Sequence, residues 1–192
     1  MPRKLSMLNI CVNVHIQIKM ECTSSIHIGC LLQCKDTLVS KKDMKKKELI
    51  QLINQLLEPI GFKRKGNFWV INGDEITKIV NLQKSQYNDS FYINYGYIIN
   101  SIPLDGMMMH VYNRLHSIDN KENESIAFLL NLNNEILDQD RIFQLTNIIE
   151  KNMITELVKT NTEKDILSNL KNRPHLNDIP LVVKRYLKIS LE

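Results

Sequence analysis

Asn81, Gln83, Ser85, Tyr92, Asn94, His110 and Arg114 carry three carboxamides, a hydroxyl, a phenol, an imidazole and a guanidinium. Gathered on one surface, such groups read a carboxylate, a phosphate or a peptide backbone by hydrogen bonds, the guanidinium with a two-pronged fork. Gly96 beside them would let a partner come close to the backbone. The competing expectation is structural: the same groups bond one another and the turns, and so fix strand register.

These residues must be positioned by strands, because side chains of a strand switch faces at every residue. Thr77, Ile79, Asn81, Gln83 and Ser85 fall on one side, and Ile76, Lys78, Val80, Leu82 and Lys84 on the other. Gln86, Tyr87, Asn88 and Asp89 form a turn-type cluster. A second strand then sets Phe91, Ile93, Tyr95 and Tyr97 against Tyr92, Asn94, Gly96 and Ile98. A four-residue loop places Ser85 opposite Ser90, Gln83 opposite Tyr92 and Asn81 opposite Asn94, giving one amide-rich and one oily face. Over 107–115 the alternation resumes: Met109, Val111 and Leu115 face one way, His110, Tyr112 and Arg114 the other.

The candidate face holds no carboxylate pair for acid–base work, and no Gly-x-Ser-x-Gly elbow or P-loop occurs in the chain. No cofactor is expected, and the first reading is a non-enzymatic binding domain for a protein or a small polar ligand, in the manner of an immunity protein. The alternative is a metal-independent hydrolase or nuclease centred on His110, with Arg114 and His116 as its helpers.

Around these strands the pattern predicts an α+β domain. It has an N-terminal helix, an antiparallel sheet of about four to five strands and C-terminal helices on one face. Leu49, Ile53, Leu56, Leu57 and Ile60 recur at helical spacing behind Asp43 as a cap, and Pro59 and Gly61 end that helix. Residues 62–67 read as a basic link, its Lys63-Arg64-Lys65 run solvated or a phosphate contact. A strand over 68–71, with Trp69 as core, follows, and Asn72-Gly73 supplies a tight hairpin turn. Residues 119–123 read as a polar loop and 126–132 as a last strand. A long helix runs from Asp140, with Ile142, Phe143, Leu145, Ile148, Ile149, Ile154, Leu157 and Val158 as its apolar positions. Thr162 caps another helix through Lys171, before Pro174. Pro180 opens a third, with Leu181, Val182, Tyr186, Leu187 and Ile189 inward.

The formal charge of +4 is concentrated at the start: residues 1–43 carry +3, and the body is near neutral. That speaks against nucleic-acid binding by the body. Cys11, Cys22, Cys30 and Cys34 all lie in the same stretch at spacings too loose for a zinc clamp. A cysteine-free body with no export signal or apolar span predicts a reducing, cytoplasmic setting without membrane attachment. Met44, directly before the first helix, reads as a translation start. Residues 1–43 are then an extension outside the domain of residues 44–192; the alternative is an added edge strand from Val12, Val14, Ile16 and Ile18.

GFKRKGNFW at 61–69, NLQKS at 81–85, FYINYG at 91–96 and the Arg114-Leu115 pair resemble a bacterial family known only as domain of unknown function 4304. The likeness is good from about Leu49 to Leu115 and looser through the helices, and residues 1–43 have no counterpart in it. The resemblance implies a compact α+β domain and supplies no activity, cofactor or catalytic residue.

Overall fold

The computed structural model describes residues 44–189. The expectations for residues 1–43, including the 12–18 alternation and Asp43 as a cap, lie outside the described residues. The first helix, α1 (Lys46–Leu57), starts at Lys45, whose backbone N–H is taken by the Glu48 carboxylate at 2.7 Å. An acidic group there suits the positive end of the helix dipole. Leu49, Ile50, Leu52, Ile53 and Leu57 are its buried positions. A single 3-10 turn follows and ends at Gly61, whose φ of 98° takes the left-handed form that lets the chain turn off.

Five antiparallel strands follow in simple meander order: β1 (Lys63–Lys65), β2 (Phe68–Asn72), β3 (Ile76–Lys84), β4 (Phe91–Ile99) and β5 (Val111–Arg114). The basic link is therefore a short edge strand, paired to β2 across Gly66-Asn67. An all-cationic edge of this kind discourages pairing with other sheets. The turn after β2 also differs from expectation, since neither Asn72 nor Gly73 takes a positive φ. Gly73 is needed for space: a Cβ there would meet the Ile76 carbonyl at 2.8 Å. Asn100 clasps this turn by donating to the Gly73 and Asp74 carbonyls at 2.8 and 3.0 Å. The central hairpin keeps the expected register, with Asn81 opposite Asn94 and Gln83 opposite Tyr92.

Residues 119–132 correct the sequence reading. The polar loop and last strand are replaced by α2 (Asn120–Leu130), capped by the Asp119 carboxylate, which accepts the Lys121 N–H at 2.9 Å. Ile126, Leu129 and Leu130 turn inward at helical spacing, leaving Ala127 and Phe128 outside.

Next, α3 (Asp138–Ile149), a π-helical segment (Glu150–Ile154) and α4 (Thr155–Lys159) form one continuous rod. It starts two residues before Asp140, and the Asp138 carboxylate accepts the Met44 N–H at 3.0 Å. Its buried face also differs from expectation. Phe143, Val158 and Ile142 are exposed, whereas Arg141 is 2% exposed. Arg141 donates to the Leu129, Asn131 and Asn134 carbonyls and so ties the C-terminal end of α2 to α3. Carbonyls at a helix end attract a cation, which fixes this rotation of the rod.

Two shorter helices close the domain. α5 (Glu163–Lys171) is capped by Thr162, and α6 (Leu181–Tyr186) starts after Pro180. Val183 is the buried residue of α6, while Leu181 and Tyr186, expected inside, are exposed.

One sheet face carries Trp69, Lys78, Val80, Ile93, Tyr95 and Tyr97 toward the helices. Trp69, fully buried, donates to Asn54 of α1 at 3.1 Å. Lys78 donates to the Leu157 carbonyl at 2.6 Å and to Asn161 at 2.9 Å. Burial pulls its ammonium below the usual lysine range, partly offset by Asp165.

Candidate functional site

The registers of β3, β4 and β5 put Asn81, Gln83, Tyr92, Asn94, Tyr112 and Arg114 on the outer face of the sheet. Asn94 is the hub and is completely buried. Its Nδ2 donates to Gln83 Oε1 at 2.9 Å, and its Oδ1 accepts Arg114 Nε at 3.2 Å. The Arg114 guanidinium lies over the Tyr92 ring, 4.3 Å from its centroid, an attraction of about 0.5–1 kcal/mol at an exposed site. Nη2 of Arg114 also reaches the Tyr112 hydroxyl at 3.4 Å. Three neighbours thus hold the guanidinium group while the residue as a whole stays exposed. Asn81 belongs to the same face, but its amide turns to the Asn67 carbonyl at 3.4 Å.

Ser85, His110 and Gly96 do not join this group. Ser85 pairs with Ser90 as expected, and its Oγ accepts the Tyr87 N–H at 3.2 Å, so the hydroxyl serves the turn. His110 precedes β5 and is 1% exposed. Its Nδ1 accepts the Ile99 N–H at 2.9 Å, so Nε2 carries the proton and donates to the Pro103 carbonyl at 3.0 Å. The imidazole latches the loop between β4 and β5, and neither nitrogen is left to take a proton from a substrate. The space beside Gly96 is filled from within. A Cβ there would lie 1.9 Å from the Val111 carbonyl and 2.6 Å from the Met109 sulfur, which leaves no room for a partner's backbone.

At the open edge of β5 the sheet meets the segment between α5 and α6 around a cleft of about 580 Å³. Its floor is built on Glu156 of α4, whose carboxylate accepts the Tyr95 hydroxyl at 2.8 Å, the Tyr97 hydroxyl at 3.3 Å and the Asn113 amide at 3.2 Å. Burial, reinforced by the Glu156 charge, pushes both phenols well above the tyrosine range and keeps them as donors. Arg173 donates to Asn113 and pairs with Asp178 at 2.9 Å. His116 and His175 stand on the walls with Arg114. His116 Nδ1 is 2.7 Å from the Arg114 carbonyl, so the ring donates there and Nε2 is the free nitrogen.

Of this cleft the sequence reading held Arg114 and, as a solvated helper, His116. Glu156 sits on a helix read only for its apolar stripe. Arg173 and His175 flank Pro174, read only as a helix breaker. Among the described residues no group of three His, Cys, Asp or Glu could hold a metal ion, and no helix is long and apolar enough to cross a membrane.

Residues 53–172 match the family described as Domain of unknown function (DUF4304). The chain belongs to that family. The DUF4304 match takes in all five strands, the network on Asn94 and the Glu156 floor, and it ends one residue before Arg173. Arg173, His175 and Asp178, which close the cleft, therefore lie beyond the DUF4304 region. No curated protein and no solved structure matches the chain.

Proposed function

We propose that this chain is a bacterial, cytoplasmic, non-enzymatic binding protein that grips an acidic group of a protein partner with the outer face of its sheet, as an immunity protein grips a toxin. The observation that carries this reading is the guanidinium of Arg114, set between the Tyr92 ring and the buried Asn94 amide yet open to solvent. A free arginine loses about 2 kcal/mol of rotamer freedom when a ligand fixes it. Here much of that ordering is already present before a partner arrives, which leaves more of the charge-assisted hydrogen bonding for affinity. The cytoplasmic setting is supported by the lack of cysteine after Cys34.

Capture from an extract of the native host, with Arg114→Ala, Arg114→Lys and Asn94→Ala beside wild type, tests it. Wild type retains a defined protein, Arg114→Ala weakens capture by at least about tenfold, or about 1.4 kcal/mol, and lysine fails to restore the fork. Failure to retain any protein, or retention that ignores both alanine changes, removes this function.

A further inference from the structure

We infer that the acidic group gripped by Arg114 is the C-terminal carboxylate of the partner, and that the partner's last side chain, an aliphatic one, enters a pocket beside it. This rests on the reading of Arg114 as the grip and names what it holds. The pocket, about 230 Å³, lies between α2, the start of β4 and the end of β5. Phe91, Ile93, Leu115, Ile126 and Leu130, all buried, give it an apolar floor, while Arg114 and Ala127 are exposed at its mouth. Among the described residues that line it, Arg114 alone is charged. The Asn123 amide in the lining is already spent: it accepts the Ser117 N–H and donates to the Ser117 carbonyl, both at 2.7 Å. An occupant therefore meets apolar walls and one cation.

That cation is open to a ligand. A guanidinium has five N–H groups. Two of those of Arg114 go to Asn94 and Tyr112, so three remain. Glu156 and Asp178, the carboxylates of the neighbouring cleft, are bonded to Tyr95, Tyr97, Asn113 and Arg173 rather than to Arg114. At about 230 Å³ the pocket falls below the ~300–1,000 Å³ of small-molecule sites and suits a single side chain. One anchor side chain in a desolvated pocket is how interface hot spots are built. Because Arg114 belongs to the lining itself, the anion and the anchor must lie close together. Inside an extended chain an acidic residue and its neighbour point to opposite sides, and residues on one side are about 6.5–7 Å apart. The last residue of a chain carries a carboxylate and a side chain on one Cα, and so meets both demands.

Random peptides of about six residues that end in leucine, tethered by their N-termini, are the probe, and the full chain is titrated over them. One set ends in a free carboxylate and a second in the amide; a third ends in serine with a free carboxylate. Binding to the first set at least about tenfold tighter than to either of the others is expected, or about 1.4 kcal/mol. Arg114→Ala is expected to remove the preference for the carboxylate over the amide. Ala127→Leu, at an exposed position of α2 where leucine suits the helix, fills the mouth and weakens binding to the first set about tenfold with Tm unchanged. No binding to the first set, equal binding to it and either other set, a carboxylate preference that survives Arg114→Ala, or binding untouched by Ala127→Leu overturns the inference. A host protein captured through Arg114 yet still held after removal of its last residue loses only this inference. Peptide binding that meets every mark while the extract yields no partner loses only the earlier function.

Discussion

On the helix-packed face of the sheet, Lys78, Tyr95 and Tyr97 each end on a group of the chain's own helices: the Leu157 carbonyl or the Glu156 carboxylate. On the outer face, Gln83, Asn94 and Arg114 bond in series, and the series ends on a cation open to solvent. Both faces satisfy their buried polar groups, as a folded interior requires. The difference is where the chain of bonds stops. Inside, it closes on backbone and carboxylate and contributes stability; outside, it stops at a preset charge.

The largest break in this contrast is expected from Trp69→Ala on the packed face, a loss of about 3–5 kcal/mol in urea unfolding. Lys78→Ala is expected to cost about 1.5–3 kcal/mol, because the Leu157 carbonyl loses a charged donor in a buried setting. On the outer face, Asn94→Ala should cost only about 1 kcal/mol, since both of its partners can turn to water. Arg114→Ala is expected to cost about 0.5–1 kcal/mol, the worth of its stacking on Tyr92, while still weakening partner capture. A stability loss for Arg114→Ala as large as that for Lys78→Ala would erase the distinction between the faces.

The smallest effect is a matter of pH. Glu122 of α2 is held down to about 2 from its ordinary 4.5 by Ser117, then Lys151 and Asn152. Its folded value lies below the unfolded one, so its contribution is in place above about pH 4.5 and fades as pH falls toward about 2. Glu122→Gln is expected to lower Tm slightly at neutral pH, with the gap to wild type closing across that window. A gap that persists at about pH 2 would assign the effect to packing rather than charge.

The central hairpin was legible because period-two alternation and a polar turn cluster agree on one register, and Asn81 does face Asn94. What escaped had no such period. Three cations in a row at β1 carry no pattern of burial. Five apolar residues in a row at 126–130 hide the helical spacing of Ile126, Leu129 and Leu130, although Asp119 and Glu122 mark a helix start. Of the seven candidate residues, five share one face as the alternation implied: Asn81, Gln83, Tyr92, Asn94 and Arg114. His110 shares their parity, but its ring is diverted to backbone that only the folded loop brings near. The cleft was hidden for a like reason, since β5, α4 and the segment before α6 meet only in the folded chain.

In the π-helical segment, the Thr155 N–H returns to the Glu150 carbonyl, five residues back. Every residue of a regular helix advances the face by about 100°, so one residue held in a wider turn resets the phase of all that follows. Removing a single residue from 150–154 would leave the rod helical yet swing Glu156 away from both tyrosines, emptying the floor of the cleft without touching any residue that lines it.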